Sequence, residues 1–381
     1  MKQYDVVVIG AGLAGLQCAR LLGKQGLKVL LVDRKASLDH SIHTTGIFVR
    51  RTLEDFDLPE DCLGPPVRHV RLYSPARRPL DLESPHDEFR VGRMGQLYQR
   101  LLSNCLRAGV EWLPNTRYAG HSSLKSASVV RLDGNGFSRW VSTRYIVAAD
   151  GANSRIAKAL DLDVNRQWIV GVEEVFEGVP LIGPPRLHCF LDPRIAPGYL
   201  AWVVHDGEEV HVGVGGYPNR FDPLTALQKF RANLGGIVDL SHSRLVERRG
   251  GRIPVGGVLQ RIANPCGLLV GDAAGAVSPL TAGGLDPCMR LSSFAAKVIA
   301  QHLANENAGV LSAYSGELFR ARFVSRLWMR RIVANVNQPM LAEMACAAMR
   351  LPILNSFAWH VFFGRGSFPD MDIALAPQPA T

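Results

Sequence analysis

Three glycines and an aspartate have the spacing for nucleotide chemistry. Gly10, Gly12 and Gly15 follow the apolar run Val6–Ile9, and a helical pattern opens among them. Gly10 permits a tight strand-to-helix turn, Gly12 lets backbone approach a pyrophosphate, and Gly15 lets the helix pack close to the strand. Leu13 and Ala14 stand on the first helical turn, whose N–H groups and positive partial charge favour phosphate. A second apolar run, from Lys28, ends at Asp33 beside Arg34, eighteen residues after Gly15. An acidic side chain there accepts hydrogen bonds from a ribose 2′-OH. A glycine-rich turn alone occurs in any α/β protein. Strand, turn, helix and strand-end acid together predict a dinucleotide site.

Two later strand ends also carry carboxylates. Ala148-Ala-Asp150-Gly151-Ala-Asn-Ser-Arg155 reads as a strand, a turn and a helix capped by Asn153 or Ser154. Leu268-Leu-Val-Gly271-Asp272-Ala-Ala-Gly275 has the same form and leads to the loop Ser278–Gly284. His43, Thr44 and His205 are the candidates for substrate-side proton transfer, since an imidazole titrates near neutrality. A hydrogen-bonded structural histidine is the competing reading. Tyr199 and Trp202 are candidates for walling an apolar pocket.

Several elements must hold these residues. A short helix is expected after Gly46, up to Asp57. Val67–Tyr73 and Phe89–Gly92 read as strands, and Arg93 opens a helix that ends at Gly109. Val110–Leu113 reads as a strand. Asp133-Gly-Asn-Gly136 predicts a hairpin between Ser128–Leu132 and Phe137–Ser142. Tyr145 begins a separate apolar strand ending at Asp150. From Gln167 to Val214 short strands alternate with Gly and Pro turns, which predicts a mostly antiparallel sheet. A helix is expected from Leu285 to Leu303. Another, Glu317–Val336, is amphipathic and basic; the preferred expectation is a packed helix with a solvated basic face, and contact with an anionic membrane is the alternative.

In this order the three nucleotide motifs resemble the FAD-binding signature of the flavoprotein hydroxylase superfamily, over roughly residues 4–300. The resemblance implies FAD. It implies that Asp272 binds the ribitol chain, that Asp150 supports the pyrophosphate region, and that Arg93 lies against the cofactor. Gly46 of the loop after Asp33 and Ala282, Gly283 and Gly284 are expected near the flavin. There the backbone N–H groups of Thr281–Gly284 would face a reduced, anionic ring. The closest branch is the geranylgeranyl reductases. Gly271-Asp272-Ala-Ala-Gly275 with Ser278-Pro-Leu-Thr-Ala-Gly-Gly284 is similar to that branch's flavin loop. Pro197-Gly-Tyr-Leu-Ala-Trp202 with His211-Val-Gly213-Val-Gly215 is similar to its Tyr-x-Trp-x-Phe-Pro stretch and trailing Gly-x-Gly. Leu200, Val204 and His205 depart from that stretch, and His43-Thr-Thr-Gly46 replaces a Cys-Gly-Gly segment. The resemblance therefore implies the cofactor but not the lipid.

Composition narrows the rest. The net charge of +9 comes without a nucleic-acid-binding motif. The seven cysteines form no C-x-x-C pair and no metal-ligand spacing, as expected for reduced thiols in a cytoplasmic protein. No apolar stretch has the length and purity of a membrane span. No second Gly-x-Gly-x-x-Gly follows a strand, so no separate NAD(P)H domain is expected. The electron donor is left open among NAD(P)H, a quinone and a ferredoxin-type protein.

The expected fold is α/β: a doubly wound FAD-binding domain from residues 1–66, 93–165 and 260–309. An antiparallel substrate domain is expected from residues 67–92 and 166–259, and a helical segment from 310–381. The expected activity is hydride transfer through flavin to or from a hydrophobic small molecule, in the cytoplasm or peripherally at the inner face of the membrane. A monooxygenase using NAD(P)H and O2 and a non-catalytic flavin-binding redox sensor are the rivals.

Overall fold

The computed structural model describes residues 1–123, 127–305 and 308–364. Residues 365–381 of the expected C-terminal segment lie outside them. The first sheet has eight strands, and its parallel core runs Gly267–Leu269, Phe137–Ala148, Lys2–Ile9, Val29–Val32, Glu111–Leu113. These strands are Val/Ile/Leu-rich on both faces because both faces are covered. The helix Leu13–Lys24 packs between the helices Met94–Arg107 and Leu285–Asn305, burying Leu13, Leu16, Ala19 and Leu22 at helical spacing.

Parallel strands end on one edge, and that edge carries the motifs. Gly10, Asp33, Asp150 and Gly271-Asp272 each follow the last residue or two of a strand. Open α/β sheets bind ligands in this position.

The second sheet has seven strands in the order Arg244–Pro254, Trp168–Glu177, Glu209–Gly216, Ala201–His205, Arg186–Phe190, His69–Tyr73, Pro79–Glu83. Every pair is antiparallel except Arg186–Phe190 with His69–Tyr73. Strand alternation divides its two faces. Val210, Val212 and Val214 pack under the helix Pro223–Ala232 around Phe230, while His211, Gly213 and Gly215 turn the other way.

Three expectations change. Phe137–Ser142 and Tyr145–Ala149 are one strand, Phe137–Ala148, antiparallel to Ser128–Gly134 at its start and parallel to Lys2–Ile9 from Val141 onward. Thr143 lets it continue by turning its hydroxyl to the carbonyls of Asp5 and Tyr145. The strands Pro79–Glu83 and Thr116–Ser123 are additional. Glu317–Val336 is two helices, Gly316–Ala321 and Val324–Asn335, with Phe319 and Phe323 in the core at the break.

Candidate active site

Between the two sheets lies a cavity of about 1280 Å³. That exceeds the roughly 300–1,000 Å³ of sites for one drug-sized ligand. One end is the motif edge of the first sheet, lined by Gly10, Gly12, Leu13, Ala14, Asp33, Arg34, Asp150, Gly151, Gly271 and Asp272. Gly46, His43, Thr44, Tyr199, Trp202, Ala282, Gly283 and Gly284 line its middle. The far end is apolar, with Leu187, Met329, Ile332, Val333, Phe357 and Phe362.

The nucleotide end fits FAD on three counts. The three motif glycines have different reasons. A Cβ on Gly10 would stand 2.2 Å from the Ala149 carbonyl oxygen, and one on Gly15 would stand 1.8 Å from that of Gly10. Packing alone demands those two. A Cβ on Gly12 would meet nothing within 4 Å and would project into the cavity, where a pyrophosphate needs the backbone bare. Asp33 ties this loop to the strand end, accepting the N–H of Ala11 at 2.7 Å and of Lys35 at 2.9 Å.

The second count is Asp150. Its Oδ2 accepts the N–H groups of Arg155 and Ile156, while Oδ1 is buried with no protein partner. Ser154 caps the following helix by accepting the Ala157 N–H at 2.9 Å. The third is Asp272, whose carboxyl burial pushes up to about 6. Sugar hydroxyls would supply the hydrogen bonds that such a carboxylate needs. In the flavin loop, the N–H groups of Thr281 and Ala282 turn inward to Ser278. Gly283 and Gly284 keep theirs free of protein acceptors among the described residues, just before the helix Leu285–Asn305.

The substrate-side histidines are placed differently. His43 is on the cavity wall, with Nδ1 3.1 Å from the Gly250 carbonyl oxygen; burial and nearby Lys35 lower its pKa. The Thr44 hydroxyl accepts the Gly46 N–H at 3.2 Å. His205 does not line the cavity. It stands three residues from Trp202 in one strand, so the two point to opposite faces. Its Nε2 lies 2.8 Å from the Val179 carbonyl oxygen, and Nδ1 accepts the Gly207 N–H. Arg93 is not on the wall either: its guanidinium donates to the Asp61 carbonyl and pairs with Glu208 at 3.0 Å.

Tyr199 and Trp202 explain the Gly213-Val-Gly215 repeat. The Trp202 ring lies where a Cβ on Gly213 would be, at 2.1 Å, and the Tyr199 ring stands 2.7 Å from one on Gly215. The Tyr199 hydroxyl reaches the Thr281 carbonyl at 2.7 Å, joining this sheet to the flavin loop.

Sequence reasoning missed Glu173. It lines the cavity although only 4% exposed, and it receives hydrogen bonds from Trp202 Nε1 (3.0 Å) and the Thr45 hydroxyl. His211 Nδ1 is 3.1 Å away and Arg249 pairs with it at 3.6 Å. The one available clue was the acidic pair Glu173-Glu174 interrupting an apolar strand; Glu174 points to the opposite face and pairs with Arg231 and Arg248.

The C-terminal helices divide the expected basic face: Arg322 and Arg331 are exposed, while Arg320, Arg326 and Arg330 turn inward. Arg330 is buried, its guanidinium 5.0 Å from the Tyr217 ring centroid and 5.6 Å from that of Tyr199. Arg320 donates to the carbonyls of Gly256 and Val258, and Arg326 to the Ser278 hydroxyl. Apolar side chains stand exposed beside them: Trp328 at 61%, Ile332 at 67%, Met340 at 68% and Ile353 at 84%. No helix among the described residues is long and apolar enough to cross a membrane.

Comparison with known proteins agrees with this geometry. Residues 3–177 match the FAD binding domain family. The digeranylgeranylglycerophospholipid reductase of Methanocella arvoryzae is 25% identical over 84% of both chains. That of Methanothrix thermoacetophila is 26% identical over 81% of both. A geranylgeranyl bacteriochlorophyll reductase-like structure from Thermoplasma acidophilum superposes with a TM-score of 0.83 at 22% identity, over 96% of this chain and 97% of its own. The p-nitrophenol 4-monooxygenase of Pseudomonas putida shares the fold at a TM-score of 0.70 and 18% identity, over 96% of this chain and all of its own.

Proposed function

We propose that the chain is an FAD-dependent oxidoreductase of the flavoprotein hydroxylase type that transfers a hydride between flavin and a carbon–carbon bond of a hydrophobic, lipid-like molecule. FAD, when bound, supplies the hydride chemistry; the protein binds, orients and excludes water. Gly12, Asp33, Asp150 and Asp272 would hold the nucleotide and ribitol. The N–H groups of Gly283 and Gly284 would face the ring. Trp202 and Tyr199 would flank the reacting segment, with His43 and Thr44 on the polar rim.

The observation that carries this reading is the continuity of the cavity, from the strand-end carboxylates past Trp202 to the apolar end at Met329, Ile332, Phe357 and Phe362. A polar substrate would gain nothing from that wall, whereas an alkyl or isoprenoid chain would bury against it. The names of the lipid reductases similar to this chain point the same way.

The apolar mouth also favours peripheral membrane contact. Ile332 and Phe357 line the cavity and are exposed outside it, so a chain leaving a bilayer would pass from lipid to cavity without crossing water. The candidate electron donors are NAD(P)H, a quinone and a ferredoxin-type protein.

The test is anaerobic. Holo-protein reduced with dithionite is mixed with vesicles containing a polyprenyl lipid, and flavin absorbance and lipid mass are followed. Recovery of the oxidised spectrum with a gain of two hydrogens per double bond is expected. A product bearing oxygen, formed only with O2 and NAD(P)H, would instead establish the monooxygenase. A bound flavin that no donor reduces would instead make FAD a structural, non-catalytic group.

A further inference from the structure

Glu173 is the inner end of a line of buried titratable groups that the proposed hydride transfer leaves unused. Its Oε1 is 3.1 Å from His211 Nδ1, and His211 Nε2 is 3.4 Å from Asp206 Oδ2. All three side chains are at least 95% buried. Asp206 Oδ1 accepts the N–H groups of Glu208 and Glu209 at 2.9 and 2.6 Å, in a turn where Gly207 and Glu208 are exposed. The carboxylate and imidazole atoms of Asp206, Glu209 and His211 lie within 4.8 Å of one another, so half-buried Glu209 closes the outer end.

We infer that Glu173, His211 and Asp206 form a proton line from the hairpin turn at residues 206–208 to the cavity, with Glu173 as the group that exchanges the proton with substrate. The inference rests on the hydride-transfer reading of the cavity. Strand alternation assembles the line: Glu173 is paired opposite Gly213, Trp202 is paired opposite the same residue, and His211 lies two residues along on that face. A structural ion pair needs no opening to a cavity, but Glu173 lines one.

Opposite charges alternate along the line. Glu173 faces His211 and Arg249, and His211 faces Glu173, Asp206 and Glu209. Arg249 is tied to Glu247 at 2.7 Å and to the Thr44 carbonyl, while Glu208 is held outside by Arg93. The two carboxylates raise His211 to about 9 against its burial, and His211 helps hold Asp206 down at about 2. At neutral pH the imidazole therefore carries both protons.

In reduction of a double bond, one carbon takes the hydride and its two electrons from reduced flavin. The other carbon takes a proton from Glu173. That proton comes from Nδ1 of His211, which leaves a neutral ring with its proton on Nε2; tautomeric exchange returns that proton to Nδ1, and one solvent proton then fills the vacated Nε2 by way of Glu209 and Asp206. The C=C π bond breaks, two C–H bonds form, and the protein returns to its starting charge. Coupled groups of this kind share protons rather than titrating singly.

Two measurements test it. In protein labelled with 15N-histidine, the ring signals absent from His211→Asn should show a doubly protonated imidazole at pH 7.5, titrating near 9. Glu173→Gln should lower that midpoint by at least about one unit. A neutral His211 at pH 7.5, or a midpoint unmoved in Glu173→Gln, would overturn the line. Second, in stopped-flow oxidation of reduced holo-protein by polyprenyl lipid, Glu173→Gln should slow the step by about 10²-fold with FAD content and lipid KM unchanged. Glu173→Asp should recover part of the loss, and the wild-type solvent deuterium effect should vanish in Glu173→Gln. Wild-type speed in Glu173→Gln would overturn the proposal. If Glu173→Gln does not fold, Asp206→Asn takes its place: first turnover at wild-type speed with slowed later turnovers supports refilling through Asp206, and unchanged later turnovers refute it. If wild-type protein does not react with the lipid at all, the hydride-transfer reading fails, and the histidine titration alone decides the line.

Discussion

At the nucleotide end Asp272 faces the cavity with no hydrogen bond to its carboxyl from the described residues, whereas on the facing wall the protein buries Glu173 among Thr45, Trp202, His211 and Arg249. Burial acts alone on Asp272 and raises it. On the second sheet, paired charges outweigh burial: His211 goes up and Asp206 goes down. One wall is completed by a ligand, the other completes itself. The first is therefore tuned for holding a cofactor, and the second can keep a fixed charge pattern whether or not substrate is bound.

The glycines give the largest break in that comparison. Gly15→Ala places a Cβ 1.8 Å from a backbone oxygen that cannot move without shifting the loop. It should cost about 3 kcal/mol or more and remove the folded transition in thermal melts. Gly12→Ala meets no protein atom within 4 Å. Its melting temperature without FAD should match wild type, while FAD affinity falls roughly 10–100-fold, as for a methyl forced into a filled site. Equal FAD affinity in Gly12→Ala would show that the phosphates pass elsewhere.

Asp272 comes next. Asp272→Ala should weaken FAD by roughly 10–100-fold, the worth of hydrogen bonds to a charged group, and full flavin absorbance after desalting would sink the assignment. Asp272→Asn separates holding from burial. A carboxyl raised from 3.8 to about 6 makes its charged form a cost to the protein without FAD at neutral pH. The sign is that of a penalty: absent below 3.8, complete above 6. The amide removes it, so Asp272→Asn without FAD should melt higher than wild type at pH 7 and equally at low pH, where folding permits the measurement.

The same contrast governs what the sequence discloses. The nucleotide end is legible because each piece is local: a glycine trio, and aspartates one or two residues past an apolar run. The break at Arg322–Phe323 was hidden because Phe319 and Phe323 keep helical spacing across it. Glu173 was hidden because its partners are distant, 38 residues away for His211 and 128 for Thr45. The parity separating His205 from Trp202 was legible in principle, since any strand through both sends them to opposite faces. Knowing that Trp202 faces a cavity required the helix Pro223–Ala232, which covers the other side.

The smallest effect tests the self-completed wall. His211 is raised from 6.5 to about 9 on folding, so its contribution is fully present below pH 6.5 and is lost as pH rises through 9. Between pH 7 and pH 9 that amounts to about 2 kcal/mol, discounted from the whole because the group is still half protonated at its midpoint. Asp206 works in the other direction: held at about 2, it contributes above 3.8 and is lost as pH falls toward 2, well outside this window. Denaturant midpoints of FAD-loaded protein at pH 7, 8 and 9 should therefore fall, with unchanged m-value. In Glu173→Gln the fall should shrink, because one of the two carboxylates that hold the second proton is gone, while the pH response of FAD binding through Asp272 stays as in wild type. A fall of equal size in both proteins would mean that Asp206 alone sets the imidazole charge. A flat wild-type profile would mean that His211 is neutral, and the two walls would then not differ in the way their charges are met.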